Sequence, residues 1–157
     1  MFDQKMKSKF AAIFVVTSLS VYCVSCSKDR VADEPEFAGN IDVDEPIKQL
    51  EEILSETSQQ QPMNYTSCNL VSLYAVKLAL LFHRYLRSLP PAKRAAAISE
   101  QERWEKQTDN AMDDAHTEWD GGSGELYAVS MAYLEAAKPR IAEIKQRLKA
   151  AAPTKAK

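Results

Sequence analysis

Apolar or small side chains recur every three or four positions between residues 95 and 119, a spacing that places them along one face of an α-helix. The recurring positions are Ala97, Gln101, Trp104, Thr108, Ala111, Ala115 and Trp119. Charged side chains fill the positions between them, as on a helix that buries one face and exposes the others. The pattern predicts a long helix that ends at the glycines Gly121 and Gly122, because glycine readily adopts the left-handed conformation that closes a helix.

The segment before this helix is apolar on more than one face, from about Ser67 to Leu89. We expect it to form the central helix. Pro90 and Pro91 should end this helix, because proline has no backbone N–H to donate to the preceding turn and restricts the residue before it. The short connection predicts that the two long helices are antiparallel neighbours. A second membrane span is the alternative, but Lys77 interrupts the apolar run.

Two further helical patterns flank these helices. A short amphipathic helix is predicted to begin at Pro46 and to end before Pro62. After the glycine turn, apolar residues return at helical spacing, and Pro139 predicts a helix boundary near Lys138. With four glycines in 157 residues and little strand-like alternation, the chain is predicted to be all-α, a small antiparallel helical bundle or hairpin of three to five helices.

The N-terminal residues resemble an export signal. Three lysines precede an apolar run at residues 10–22, which is too short for an ordinary membrane span. Val24, Ser25 and Cys26 form a lipobox-like end, so residues 1–26 are predicted to be a signal peptide with lipidation at Cys26. Cleavage without lipidation and a buried first helix are the alternatives. Ser27 after the lipidated cysteine favours the outer membrane, facing the periplasm of the bacterial cell envelope.

The remaining chain divides into three predicted segments. Residues 27–62 are an acidic tether with the short amphipathic helix, residues 63–150 are a helical domain, and residues 151–157 are a disordered tail. Of the three cysteines, Cys23 leaves with the signal and Cys26 carries lipid, so that Cys68 has no partner in its own chain. It is predicted to be a buried thiol, with an intermolecular disulfide as the alternative.

Charge argues against a nucleic-acid partner. The first 25 residues hold three of the 20 basic and one of the 22 acidic residues, which leaves 17 basic and 21 acidic residues in the mature chain. No basic stripe accompanies this mildly acidic balance. A strongly cationic protein is the partner that such a surface would attract.

Candidate catalytic chemistry is sparse. No nucleophile and base arrangement is visible, so we predict no enzyme activity, no catalytic residue and no cofactor. Asp113, His116 and Asp120 share a helix face and could approach a metal, but no second element completes the ligand set, and we predict no metal site. Trp104 and Trp119 are more typical of core residues than of ligand platforms.

Several motifs resemble the LprI-type lysozyme inhibitors, a family of small helical envelope proteins that are often lipoproteins. The motifs are the ordered run Gln101, Trp104 and Asp109, the turn Gly121, Gly122 and Ser123, and the closing pattern Arg140, Ile141, Ile144 and Leu148. Cys68 stands where the family often has a cysteine, and the likeness covers about residues 63–148. The chain departs from the family at Thr108, where arginine is usual, and at Met112 and near Met131, where two cysteines are missing.

The resemblance implies a protein that binds lysozyme and occludes its active-site cleft, with Gln101, Trp104, Asp109 and Arg140 in structural roles. The candidate binding residues are those of the acidic turn: Glu118, Asp120, Gly121, Gly122, Ser123 and Glu125. A plain interhelical turn is the simpler interpretation of the same residues. The alternative function is a non-enzymatic adaptor or structural lipoprotein that binds another envelope protein.

Overall fold

The computed structural model describes residues 42–151, which form four α-helices and no strand. In chain order these are α1 (Asp44–Glu56), α2 (Gln60–Ser88), α3 (Pro91–Trp119) and α4 (Glu125–Ala151). The four helices pack together, which confirms the predicted all-α class and helix number. The predictions for residues 1–26, for the tether up to residue 41 and for the tail beyond residue 151 lie outside the described residues.

The last helix, α4, is central to the packing, because it contacts both α2 and α3 while α1 packs on α2. Cys68 near the start of α2 contacts Ser130 near the start of α4, and Tyr85 near the end of α2 contacts Arg147 near the end of α4. These two helices are therefore parallel. α2 and α3 run antiparallel, as predicted, because the two residues between them reverse the chain direction. They make few contacts with each other, however, and the main packing partner of both is α4.

The core lies between α1, α2 and α4. Its buried apolar residues are Val43, Ile47, Leu70, Tyr74, Leu78, Leu134, Ile141 and Ile144. Leu70, Leu134 and Ile144 are almost fully buried. Because Val43 and Ile47 belong to this core, α1 contributes apolar contacts to the packed domain.

The helix α2 begins seven residues earlier than the pattern predicted, at Gln60. The sequence pattern predicts that Pro62 separates two helices. Instead it lies in the first turn of α2, where a residue needs no backbone donor because the first N–H groups of a helix have no intrahelical partner. By length and composition α2 could cross a membrane, a property that the core helix of a globular domain can share.

Pro139 does not end a helix, contrary to the sequence prediction, since α4 is continuous from Glu125 to Ala151. Pro139 and Glu135 are both exposed, so the carbonyl that loses its N–H donor lies on the solvent side of the helix. The buried residues Ala137, Arg140 and Ile141 hold the chain against its neighbours on either side of the proline. Tertiary packing therefore outweighs the local cost of proline.

The predicted face of α3 is buried only in part. Ala97, Gln101 and Thr108 are buried as predicted. After Thr108 the next buried residue is Met112, four positions on, whereas the predicted Ala111 is exposed. Trp104 is half-buried against the core, whereas Trp119 is 49% exposed. The core interpretation of the two tryptophans thus holds for Trp104 better than for Trp119.

Candidate binding site at the acidic turn

The turn between α3 and α4 has a defined backbone. Gly121 has a φ of 74°, in the left-handed region that favours glycine. Its N–H donates to Glu125 Oε2 at 3.0 Å, and the N–H of Gly122 donates to the Trp119 carbonyl at 2.7 Å. These bonds satisfy backbone groups at the junction of the two helices, as a closed turn requires.

The turn is also held by hydrogen bonds that involve α2, α3 and α4. His116 Nδ1 lies 2.7 Å from Glu125 Oε1, which joins the end of α3 to the start of α4. On the other side, Asn64 of α2 donates to the Ser123 carbonyl at 2.8 Å. Because three helices hold it, the turn presents its outward side chains from a fixed backbone.

Trp119 covers the inner side of this turn. Gly124 is buried, and a Cβ added there would lie 2.9 Å from a ring atom of Trp119. Glycine at position 124 is therefore what lets the indole lie close to the backbone. About half of the indole surface remains exposed beside the turn.

Five of the six predicted binding residues are exposed, namely Glu118, Asp120, Gly121, Gly122 and Ser123. The sixth, Glu125, is half-buried, and its carboxylate is occupied by His116 and by the Gly121 N–H. The structure thus places these residues together, but it gives Glu125 a role inside the turn. The exposed acids Asp113 and Asp114 on α3 enlarge the negative surface, and sequence reasoning did not include them.

The charge around the turn has one sign. Between Lys106 and Lys138 the sequence holds seven Asp and Glu residues and no Lys or Arg. The adjoining part of α2, from Gln60 to Val76, has no charged residue. Partial desolvation of its carboxylate, and then the nearby Asp113 carboxylate, raise the pKa of Asp109 above its usual value, although the residue as a whole is exposed.

The structure does not bring Asp113, His116 and Asp120 together as the ligands of a metal ion. In residues 42–151, no group of three His, Cys, Asp or Glu side chains is placed to hold an ion. His116 instead pairs with Glu125, on the neighbouring helix. Cys68 is half-buried, with its Sγ 3.5 Å from Ser130 Oγ.

The structure brings together two of the four residues that the family resemblance marks as structural. Arg140, only 5% exposed, donates through Nε to Gln101 Oε1 at 3.1 Å. Trp104 is half-buried on the same helix as Gln101, and Asp109 is exposed further along α3. Gln101 also donates to Glu105, whose pKa is raised by burial.

Carboxylates complete the surroundings of Arg140. Its Nη1 donates to Glu100 and to Glu143, at 2.7 Å in each case, and Arg147 donates to the same two carboxylates. Hydrogen bonds from Arg147 and then from Arg140 lower the pKa of Glu100 to about 2. We call Glu100, Gln101, Arg140, Glu143 and Arg147 the arginine cluster, which joins α3 to α4.

Sequence reasoning missed Glu100, Glu143 and Arg147. The spacing of Arg140, Glu143 and Arg147 by three and four residues was a usable signal, because such residues share a helix face. Their partner on α3 was not predictable without knowing that α3 and α4 pack together. Gln101 and Arg140 are buried, whereas Glu100, Glu143 and Arg147 are part-exposed at the edge of the α3–α4 contact. Because the charged groups pair with one another across the two helices, the cluster is a structural feature of that contact.

A comparison with family models, with curated proteins and with solved structures finds no match for this chain. The resemblance to the lysozyme inhibitors therefore stays a prediction that depends on the motifs alone.

Proposed function

We propose that the protein is an envelope lipoprotein that binds lysozyme and occludes its active-site cleft with the acidic turn. The observation that carries this proposal is the turn itself, which is held by three helices and exposes carboxylates but no Lys or Arg. A glycosidase cleft flanked by two carboxylates is blocked once a protein fills it, and no chemistry by the inhibitor is required. The motif resemblance supplies the identity of the partner.

Charge supports a cationic partner for this surface. Glu118 and Asp120 are exposed and form no ion pair with the other described residues. A patch of one sign raises the association rate with a protein of opposite sign, and this effect weakens as salt screens it. Binding is accordingly expected to be faster at low ionic strength.

Trp119 supports the same surface. An indole that is half exposed beside a fixed backbone can bury apolar area on a partner with little loss of side-chain freedom. Tryptophan is enriched among the few residues that contribute most to protein interfaces. We therefore include Trp119 in the proposed interface, between the acids Glu118 and Asp120.

The test compares two double variants with the same change in net charge. Glu118→Lys with Asp120→Lys alters the turn, whereas Glu52→Lys with Glu102→Lys alters exposed positions on α1 and α3. We expect wild type and the second variant to slow lysis of cell walls by a c-type lysozyme, and the first variant to lose most of that effect. Circular dichroism should show equal helicity in all three, because exposed substitutions cost little stability.

Two outcomes would count against the proposal. No inhibition by wild type would remove lysozyme as the partner, and equal inhibition by both variants would remove the turn as the site.

The adaptor alternative has one observation in its favour. Tyr65 is 74% exposed and Val76 is 42% exposed on α2, which is unusual for the apolar side chains of a helix that also supplies the core. A partner other than lysozyme would then be captured from envelope extract by wild type and lost with Tyr65→Ser and Val76→Ser together. Retention of inhibition by this variant would separate the two functions.

A further inference from the structure

The end of the bundle opposite the acidic turn carries positive charge. The chain direction brings the last turns of α2 and α4 together with the first turn of α3 at this end. Its unpaired cations are Arg84, Arg87, Lys93, Arg94, Lys145 and Lys149, which we call the basic end. Among residues 42–151, none of these cations forms an ion pair with a carboxylate.

The nearby carboxylates do not cancel this charge. Glu100 and Glu143 already pair with Arg140 and Arg147, and Asp44 pairs with Lys77. Asp42 alone remains at a shallow groove that Arg84 and Lys145 also line. The basic end therefore has a clear positive excess.

The two charged ends act independently. A helix of 29 residues such as α2 is about 43 Å long at 1.5 Å per residue, which is several times the physiological screening length of about 8 Å. A field that attracts one end is thus not cancelled by the other. The packed domain of residues 42–151 is therefore charged oppositely at its two ends.

The point at which the chain enters the domain indicates which end of the domain lies nearest the attached surface. Asp42 and Val43 lie at the groove beside Arg84 and Lys145, so the preceding residues, which include the predicted lipid anchor, join the domain at the basic end. A tether holds its domain at high effective concentration near the surface to which it is attached. Weak attraction for that surface is then sufficient to orient the domain.

We propose that the basic end docks on anionic lipid headgroups and so directs the acidic turn away from the membrane. Each Lys or Arg near an anionic leaflet adds attraction that decays within the screening length. This proposal shares the N-terminal membrane attachment with the proposed function and is independent of lysozyme binding. It assigns the unpaired cations a common partner, the negatively charged headgroup layer.

Lysine reactivity in the full-length chain tests the docking. The chain is mixed with vesicles of phosphatidylcholine, or of phosphatidylcholine with phosphatidylglycerol, and acetylation of each lysine is followed by mass spectrometry. Lys93 and Lys149 should react about threefold more slowly on the anionic vesicles. A surface potential of about −30 mV favours the protonated amine, which does not react with the acetylating reagent, by about that factor. Lys48 and Lys106, exposed elsewhere on α1 and α3, are the internal controls and should react equally on both vesicles.

Matched variants make the test specific. Arg84→Glu with Arg87→Glu should abolish the protection of Lys93 and Lys149, while Arg103→Glu with Lys106→Glu makes the same net-charge change and should preserve it. Added salt at about 0.5 M, where the screening length is about 4 Å, should also remove the protection.

Equal reactivity of Lys93, Lys149 and Lys48 on both vesicles would overturn the proposal. Protection of Lys93 and Lys149 that arises without vesicles and grows with protein concentration would overturn it as well. The second result would identify the acidic turn of another copy as the partner of the basic end.

Discussion

Two glycines and one carboxylate determine the structure of the turn between α3 and α4. Gly124 allows the indole of Trp119 to lie against the backbone, and Gly121 adopts a φ of 74° that other residues rarely adopt. Glu125 satisfies the Gly121 N–H and His116 together, so one carboxylate organises the whole turn. The exposed acids beside it are free for contacts with a partner.

Replacement of Gly124 by alanine should displace Trp119. The new Cβ would lie 2.9 Å from one ring atom and 3.1 Å from another, closer than van der Waals contact allows, so the indole must turn outward. We expect a loss of about 1–3 kcal/mol in unfolding free energy, typical of overpacking. In a Trp104→Phe background, the fluorescence of Trp119 should shift to longer wavelength.

Ser123→Ala is the control for this substitution, because Ser123 is exposed and uses only its carbonyl to hold Asn64. An unchanged emission spectrum in Gly124→Ala would mean that the indole is not held against the turn.

At the scale of helices, polar contacts fix which elements pack together. The arginine cluster joins α3 to α4, while Glu51 of α1 accepts hydrogen bonds from Tyr74 and pairs with Lys138 of α4. Although burial raises it, these partners hold the pKa of Glu51 below its usual value. Directional bonds of this kind specify helix neighbours more narrowly than apolar contact does.

Acid should weaken the joint between α3 and α4. The pKa of Glu100 is about 2 in the fold against 4.5 for the ordinary group, so its stabilising effect is present above pH 4.5 and is lost as the pH falls towards 2. Glu100→Gln should therefore lower stability at neutral pH, with a difference from wild type that shrinks over this range. Urea unfolding at several pH values measures it.

Two other carboxyl groups provide comparisons for the Glu100 experiment. Glu52→Gln, an exposed change on α1 that removes the same charge away from the arginine cluster, is the matched control. Glu105 should contribute with the opposite sign, because burial raises its pKa and protonation at lower pH relieves the cost of its buried charge. A Glu100→Gln difference that stays constant from neutral to acid pH would contradict the assignment.

Pro139 leads to a prediction of increased stability. It lies on the exposed side of α4, where alanine would restore a backbone N–H facing the Glu135 carbonyl and would fit the helix. We expect Pro139→Ala to raise the unfolding free energy by about 1–3 kcal/mol, since proline is the least favourable residue in a helix interior. A lower melting temperature for the variant would show that the chain needs proline there.

Periodicity predicted the helices and the glycine turn, because burial of one face leaves a direct pattern in the sequence. It failed at Pro62 and Pro139, where the position within the helix and the packing decide whether proline is tolerated. It also failed for the order of packing, since nothing local in α2 or α3 encodes that α4 lies against both.

The candidate site was predictable in part for the same reason. The turn residues were found because glycine and acid cluster in sequence, whereas the inward role of Glu125 depends on His116. The partner of Arg140 was out of reach because Gln101 is 39 residues away along the chain.

For the whole molecule, charge is separated along the bundle axis. The acidic turn and the basic end lie at opposite ends of helices of 27 to 29 residues. Such a domain presents different chemistry at its two ends, so the proposed functions would depend on how an anchor orients it. The predicted anchor at Cys26 is the residue on which that attachment would depend.

Loss of the anchor should release the protein. If Cys26 carries lipid, Cys26→Ala should move the protein from the membrane fraction to the soluble periplasmic fraction, as cell fractionation and immunoblotting would show. Cys23→Ala is the control and should stay with the membrane. Membrane association that persists in Cys26→Ala would indicate an uncleaved signal segment.

The order of packing has a consequence for how the chain folds. Since α3 packs chiefly on α4, and α4 follows it in the chain, α3 gains its main tertiary contacts only after α4 has been synthesised. Isolated helices gain most of their stability from packing, so α3 has little reason to persist before then. A chain that acquires its final structure late stays unfolded for longer, and the proposed export through a translocation channel would require an unfolded chain.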